Sequence, residues 1–319
     1  MTYSLGWSVL RQVEVRRERW PGGEWRSALP LVTPGQDILP DQPVMRLLRK
    51  KPVPPTNSYA GQGLNEAAGG EIATIPAGLC GKVIDITGRG GVIIESRVAA
   101  VPGLLGAGRQ VAGPLIFWPG EHVSRHVIPP GAILIVPGPI NLALLSHALV
   151  SEVQGVVAGS ITLPDLEGFL HADMLQLLTK PNVEQAQEHL PPLTLLLTEG
   201  IGQHPMPEHT LSLLQRYEGS LALLSGATSI RADAWPELLI SLSEEDARPW
   251  HPDEPMYALI PGAVVRVCSG EYDGAIGVVD ALLTYEWTFP SGVRARVARL
   301  SLDHSKRIVV PVALIERIG

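Results

Sequence analysis

The residues best suited to chemistry follow an apolar run that is typical of a buried strand. Glu199, Gly200 and Gly202 come directly after the run TLLLT, and a helical pattern begins near Pro207. Ligands in open α/β sheets usually lie at the carboxyl ends of strands, and helix N-termini favour anions. The pattern offers Glu199 as an acid or base, with Gly200 and Gly202 as anion or ligand contacts. The alternative is structural, because glycines also allow a tight turn and Glu199 can accept local hydrogen bonds.

Two further groups of polar residues deserve comparison with this strand end. Ser229, Arg231 and Asp233 follow a β-like run, where Arg231 either neutralises a carboxylate or binds an anion. His122 and His126 have the i, i+4 spacing of metal ligands on a helix. Prolines crowd that segment and disfavour the helix. We therefore expect no metal and no cofactor.

The elements that must position these residues divide the sequence into three parts. Residues 1–130 are short apolar runs separated by glycine and proline, which predicts a β domain. Residues 131–242 alternate strand-like and helical patterns, which predicts an α/β domain with a mostly parallel sheet. An acidic linker at 243–256 precedes a β-rich segment at 257–319. The predicted fold class is multidomain α/β plus β.

Composition and charge limit the classes of function. The chain has 33 Gly and 29 Pro, only two cysteines, and a net charge of −7. Residues 131–255 alone carry −12, which disfavours a duplex-binding face because phosphate neutralisation needs basic residues. Two cysteines are too few for a disulfide framework, and no apolar run approaches the length of a membrane helix. These features predict a cytoplasmic protein without a membrane segment.

The C-terminal segment carries a recognisable pattern. It has the turn Pro261-Gly262, the alternating strand VVRV, and glycines at 270, 274 and 277 before a second apolar strand. This resembles the KOW motif of NusG-type transcription factors and some ribosomal proteins. The resemblance implies a small SH3-like barrel over 257–319 that contacts RNA, ribosomal proteins or RNA polymerase.

The resemblance also implies where contacts lie. Arg294, Arg296 and Arg299 would form a basic edge of the barrel. Asp273 occupies the loop position where the motif often carries lysine, which places protein contact ahead of RNA contact. Any RNA binding is expected to be weak.

The remainder resembles a bacterial family of uncharacterised proteins, in which a barrel-sandwich-hybrid β domain precedes an α/β domain. The runs ILIV at 133–136, GVVAGSI at 155–161 and TEGIG at 198–202 carry this resemblance, together with GATSIR at 226–231. This resemblance implies no catalytic residue in this chain. Lys82 lacks the hairpin turn of a biotin or lipoyl lysine, so a carrier role is not expected.

Three functions remain open at this level. The favoured prediction is a non-enzymatic binding or scaffold protein that forms homo-oligomers, with the C-terminal barrel as a protein- or RNA-contact module linked to transcription or translation. The second is a self-assembling structural protein with no nucleic-acid role. The third is an enzyme with a small anionic ligand at the strand ends, where Glu199 is the candidate catalytic residue.

Overall fold

The computed structural model describes residues 9–20, 25–49, 72–118, 128–180, 182–232, 234–251, 259–302 and 306–317. Within these ranges the protein is mostly β, with one large curled mixed sheet and two smaller antiparallel sheets. No helix in the described ranges is long and apolar enough to cross a bilayer. The presence of both strand-helix alternation and antiparallel strands agrees with an α/β plus β class, and its finer division stays a prediction.

The large sheet contains eleven strands among the described residues. Its first seven in the chain are β1 (Leu10–Arg19), β3 (Asp37–Ile38), β6 (Gly81–Ile86), β7 (Val92–Pro102), β8 (Leu105–Ala107), β9 (Gln110–Phe117) and β10 (Ile133–Val136). The others are β11 (Gly155–Ala158), β12 (Thr194–Leu197), β13 (Leu221–Ser225) and β14 (Glu237–Ser241). The order is β3–β6–β7–β14–β13–β9–β10–β11–β12–β8, and β1 pairs with β7.

Four neighbouring strands of this sheet, β9 to β12, are parallel, and the other pairings are antiparallel. The strands β10, β11 and β12 are buried at every position, as expected for parallel strands that are covered on both faces. The helices are α1 (Leu142–Val150), α2 (Leu163–Leu170), α3 (Met174–Thr179), α4 (Val183–Ala186) and α5 (Glu208–Arg216). Because these strands are covered on both faces, successive residues of a strand pack against different layers of the structure.

Packing on the two faces follows this alternation. Leu134 and Leu195 point to a core shared with α1 to α4. Ile133 and Leu196 point to a second core, shared with α5 and with β13 and β14. Four of the five described helices, α1 to α4, begin at a residue whose side chain caps them. For α1 this residue is Asn141, whose side chain accepts a hydrogen bond from the Leu144 backbone N–H.

The sheet crosses the boundary expected near residue 130. Strand β9 pairs in parallel with β10 on one side and antiparallel with β13 on the other. Strand β14 in turn pairs with β7. Segments 1–130 and 131–242 therefore share one hydrogen-bonded sheet rather than forming two separate ones, because β13 and β14 return from the α/β part to fill the gap between β7 and β9.

A small sheet covers the antiparallel part of the large one. It consists of β2 (Trp25–Pro30), β4 (Pro43–Arg49) and β5 (Ile72–Pro76), in the order β2–β4–β5. Met45 and Leu47 of β4 are fully buried and share a core with Val83, Ile94 and Leu223 of the large sheet.

The C-terminal sheet has five antiparallel strands among the described residues. They are β15 (Val264–Val267), β16 (Ile276–Thr288), β17 (Arg294–Leu302), β18 (Arg307–Pro311) and β19 (Ile315–Arg317), in the order β18–β17–β16–β15–β19. Val265, Val279 and Leu300 belong to a core separate from those of the large sheet. Residues 252–258, which include the end of the predicted linker, lie outside the described residues.

Candidate functional site

The loop after β12 is the site that the sequence favours for chemistry. Gly200 and Gly202 both have positive φ, at 70° and 144°. The backbone N–H of Glu199 donates to Gly159 O at 2.7 Å, and that of Gly202 donates to Ile161 O at 2.8 Å. The loop therefore continues the parallel pairing of β11 and β12 past the strand end, with glycine at the two positions where a side chain would be strained.

The carboxylate of Glu199 is buried and faces an arginine from the C-terminal sheet. Arg266 of β15 forms ion pairs with Glu199 and with Glu316 of β19. Only 4% of the Glu199 side chain and 12% of the Arg266 side chain are exposed. Burial lowers the pKa of Arg266 below its usual value. Solvent contributes little here, so the positive charge of Arg266 offsets two carboxylates that would otherwise repel each other.

The neighbouring contacts hold the same junction together. The Ser160 hydroxyl donates to His204 O at 2.9 Å and accepts from the His204 backbone N–H at 2.7 Å. Gly274, in the loop between β15 and β16, lies close enough to His204 that a Cβ there would be 3.5 Å from its ring. The carboxyl end of β12 is thus covered by the C-terminal sheet. The arrangement places Glu199 in a charged contact between two sheets.

Arg231 lies apart from this junction. The backbone N–H of the adjacent Ile230 donates to Leu178 O at 3.1 Å, and Ser229 Oγ donates to Lys180 O at 3.3 Å. This places Arg231 beside the end of α3, where its side chain is exposed. The structure does not bring Arg231 together with Gly200 or Gly202 in these contacts. Asp233, the acidic member of its predicted cluster, lies outside the described residues.

The three arginines predicted as a contact edge all lie on β17 and are exposed. Arg294 Nε is 3.8 Å from Glu286 Oε2, and Arg299 Nε is 3.8 Å from Asp280 Oδ2. Arg296 is directly opposite Glu286 in the ladder. Carboxylates therefore interrupt the basic edge.

The far end of the β16–β17 hairpin, residues 284–296, is named here the distal hairpin. Its exposed side chains include Tyr285, Trp287 and Val293, with 57%, 39% and 56% of their surface accessible. The strand pairing puts Trp287 opposite Ala295 and Glu286 opposite Arg296. Because paired residues share a face, Trp287 and Ala295 lie on one face and the charged pair Glu286 and Arg296 on the other. Tyr285, two residues before Trp287 on β16, shares the face of Trp287 by strand alternation.

Sequence reasoning missed Arg266 and the aromatic face. Arg266 stands in the alternating run VVRV, where its exposed-looking position gave no sign of a partner in another sheet. Tyr285 and Trp287 are separated by one residue in the run TYEWTF, a spacing that signals a shared strand face. The described residues contain no group of three or more His, Cys, Asp or Glu that could hold a metal. His122 and His126 lie outside them.

The fold and the junction define a mostly β protein in which a small C-terminal sheet closes the strand ends of a larger mixed sheet. Comparison of the chain with protein-family models, with curated proteins and with solved structures found no match in any of the three. Functional inference therefore rests on the chemistry of the described residues.

Proposed function

We propose that this is a cytoplasmic, non-enzymatic binding or scaffold protein whose C-terminal sheet is a KOW-type SH3-like barrel and whose distal hairpin contacts a protein partner. The observation that carries the proposal is the exposed aromatic face of the distal hairpin, formed by Tyr285 and Trp287, with the exposed Val293 just before β17. Tyrosine and tryptophan are enriched among the residues that dominate binding energy at protein interfaces. The five antiparallel strands, with positive φ at Gly270 and Gly274 in the first loop, support the barrel assignment.

The two faces of the distal hairpin favour a protein over RNA. The charged face has two arginines, Arg294 and Arg296, and one carboxylate, Glu286, which lies next to Arg294. Such a face neutralises few phosphates, so it gives little of the electrostatic affinity on which RNA binding depends. The aromatic face has no charged member and buries apolar area when it is covered.

The proposed enzyme alternative is less supported by the same geometry. An acid or base must reach a substrate, whereas the carboxylate of Glu199 faces Arg266 and is almost fully buried. The arrangement fits a role for Glu199 in holding the C-terminal sheet in place, which in turn fixes the direction of the distal hairpin.

A photocrosslinking experiment in cells tests the contact. A photoreactive phenylalanine at Trp287 should crosslink the full chain to one protein, whereas the same residue at Arg296, on the opposite face, should crosslink weakly. With that partner purified, Trp287→Ala should weaken its binding by at least about tenfold, as expected for an interface anchor. Arg296→Ala is the matched control and should change the affinity by less than about threefold.

The outcomes separate the classes of partner. Crosslinking to RNA that is strongest at Arg296 and falls steeply with salt would favour nucleic acid instead. Equal crosslinking at both positions, or an unchanged affinity in the Trp287 variant, would contradict the assignment of the aromatic face as the contact surface.

A specific observation also favours self-association. The α1 sequence LALLSHALV is apolar almost all round, and Leu142 and Val150 are 39% and 83% exposed. Leu175 of α3, a helix that contributes to the same core as α1, is 69% exposed. A helix that is apolar on every side is normally buried, so we propose that a second copy of this chain covers the face.

Light scattering on the full chain tests the self-association. The wild type should form a homo-oligomer, and Val150→Glu should shift the mass towards the monomer because a charge would be buried in the interface. Val293→Glu, on the distal hairpin, is the control and should leave the mass unchanged. A monomeric wild type would remove this proposal while leaving the hairpin contact intact.

A further inference from the structure

Arg19, the last residue of β1, is a buried arginine that has no counter-ion among the described residues. Only 3% of its surface is exposed. Nε donates to Pro76 O at 2.9 Å, and Nη1 donates to Gln110 Oε1 at 2.8 Å and to Gln110 O at 3.4 Å. All of these acceptors are neutral. Nη2 has no acceptor in the described part of the chain.

Arg17, two residues earlier on the same strand, gives a direct comparison. Its Nε and Nη2 donate to the two carboxylate oxygens of Glu237 at 2.6 and 2.8 Å, and this hydrogen-bonded pairing raises its pKa. Burial alone lowers the pKa of Arg19 to about 10. The fold thus supplies a carboxylate for the more exposed arginine and none, among the described residues, for the buried one.

An unpaired buried charge is costly, because no water or opposite charge replaces its hydration. A neutral side chain at position 19 would avoid that cost. The pattern Val13, Val15, Arg17, Arg19 also places Arg19 on the strand face that carries the buried Val15. Packing therefore does not require a charge at this position, whereas the binding of an anion does.

Arg19 lines a cavity of about 440 Å³. The described lining contains a second arginine, Arg109, the amides of Gln154 and Gln187, and apolar side chains such as Val111 and Leu193, with no Asp or Glu. That lining is unusual in a chain with 32 acidic residues. Three other cavities in the described part each include carboxylates, among them Asp246, Glu95 and Glu18.

The cavity lies at the amino-terminal end of the parallel strands, opposite the carboxyl end that Glu199 follows. Its lining includes Gln110 and Val111 at the start of β9, Gln154 just before β11, and Thr194 at the start of β12. The site is therefore distinct from the strand ends that the C-terminal sheet covers. Its volume is in the range of small-molecule sites, which are mostly apolar with a few placed polar groups.

We propose that this cavity binds a small organic anion, with its carboxylate or phosphate oxygens against the Arg19 guanidinium and its apolar body between Val111 and Leu193. A guanidinium matches both oxyanions because its donors are planar and forked. Arg109 supplies a second positive charge, and the amides of Gln154 and Gln187 can contact polar substituents.

Isothermal titration of the full chain at constant ionic strength tests the proposal with defined probes. Phenyl phosphate and benzoate combine an anion with an apolar body, inorganic phosphate tests the anion alone, and benzamide is the neutral control. We expect phenyl phosphate or benzoate to bind at least about tenfold more tightly than benzamide. Which of the two binds better distinguishes a phosphate from a carboxylate ligand.

Variants assign the binding to the buried arginine. Arg19→Gln should weaken the better probe by at least about tenfold, Arg19→Lys should retain part of the affinity, and Arg17→Gln should leave it within about twofold. Without ligand, Arg19→Gln should lower the melting temperature less than Arg17→Gln does, because it removes an unpaired charge rather than a paired one.

Hydrogen exchange of the wild-type chain gives an answer that does not depend on the variants folding. The better probe should protect amides at 108–112 and 187–194. If none of the anionic probes binds at 10 mM, or if Arg19→Gln binds them as tightly as the wild type, the cavity is not an anion site.

Discussion

Removal of the Arg266 charge gives the sharpest test of the junction between the two sheets. Arg266 pairs with both Glu199 and Glu316, so Arg266→Met leaves two carboxylates without this counter-ion, of which Glu199 is buried and Glu316 is 16% exposed. Breaking a buried pair by removing one partner costs about 3–5 kcal/mol. Little of this is lost to solvent screening, because the Glu199 and Arg266 side chains are 4% and 12% exposed. At about 2–4 °C per kcal/mol, the melting temperature should fall by roughly 6–20 °C.

The same geometry predicts an asymmetry between the two partners. Glu199→Gln leaves Arg266 with Glu316, so its cost should be smaller, about 1–3 kcal/mol. The double variant Glu199→Gln/Arg266→Met removes one of the two stranded carboxylates and should be more stable than Arg266→Met alone. Glu286→Gln is the control: its carboxylate is 58% exposed and 3.8 Å from Arg294, so the change should stay within about 0.5 kcal/mol.

Differential scanning calorimetry measures these shifts, and hydrogen exchange at β15 and β19 locates them in the C-terminal sheet. Strict additivity of Glu199→Gln and Arg266→Met in the double-mutant cycle would refute the reasoning, because residues in one charged contact must couple. A Glu199→Gln variant less stable than Arg266→Met would refute the asymmetry.

Three further changes test local features of the fold. Gly202→Val should destabilise the protein by at least about 1–3 kcal/mol in urea unfolding, because φ is 144° and a Cβ there would lie 2.7 Å from the His204 ring. Gly88→Ala is the control and should be neutral, since a Cβ at that position meets no atom within 4 Å. Asn141→Ala should cost about 1 kcal/mol by the same measurement, since it removes the α1 cap. Burial lowers the pKa of His209 below 6.5, so the unfolded chain binds more protons than the folded one as the pH falls through that value. The free energy of unfolding should therefore drop between pH 7 and about 5, and His209→Gln should reduce the slope of that free energy against pH.

Local features of the structure could be predicted where one stretch of chain determines them. The β-rich runs at Gly81–Ile86 and at the start of β7 pair as a hairpin, with Gly90 at a φ of 88° in its turn. The apolar runs at 133–136 and 194–197 form the expected parallel strands. Glycines and uniformly apolar runs carry this information because they restrict the backbone and the burial of a few neighbouring residues.

Pairings between distant segments could not be predicted. The sequence does not indicate that β13 and β14 pair with β9 and β7. Apolar strands have similar hydrophobic patterns, so the pattern of one strand does not identify which other strand it pairs with. The partner of Glu199 was hidden for the same reason, since Arg266 belongs to another sheet. Arg19 was overlooked in a charged run whose alternation with Val13 and Val15 does indicate an inward-facing position.

The position of β13 and β14 also has a consequence for synthesis on the ribosome. Strands β7 and β9 leave the ribosome with an unfilled gap between them, and the two strands that fill it emerge about a hundred residues later. At roughly 5–20 residues per second, the delay is on the order of 5–20 s. During it, the edge of β9 that β13 will occupy and the edge of β7 that β14 will occupy are open to pairing with other nascent chains. A polysome making this protein therefore holds several incomplete chains with open strand edges close together. Slower translation beyond residue 117 would lengthen the time for which these edges stay open.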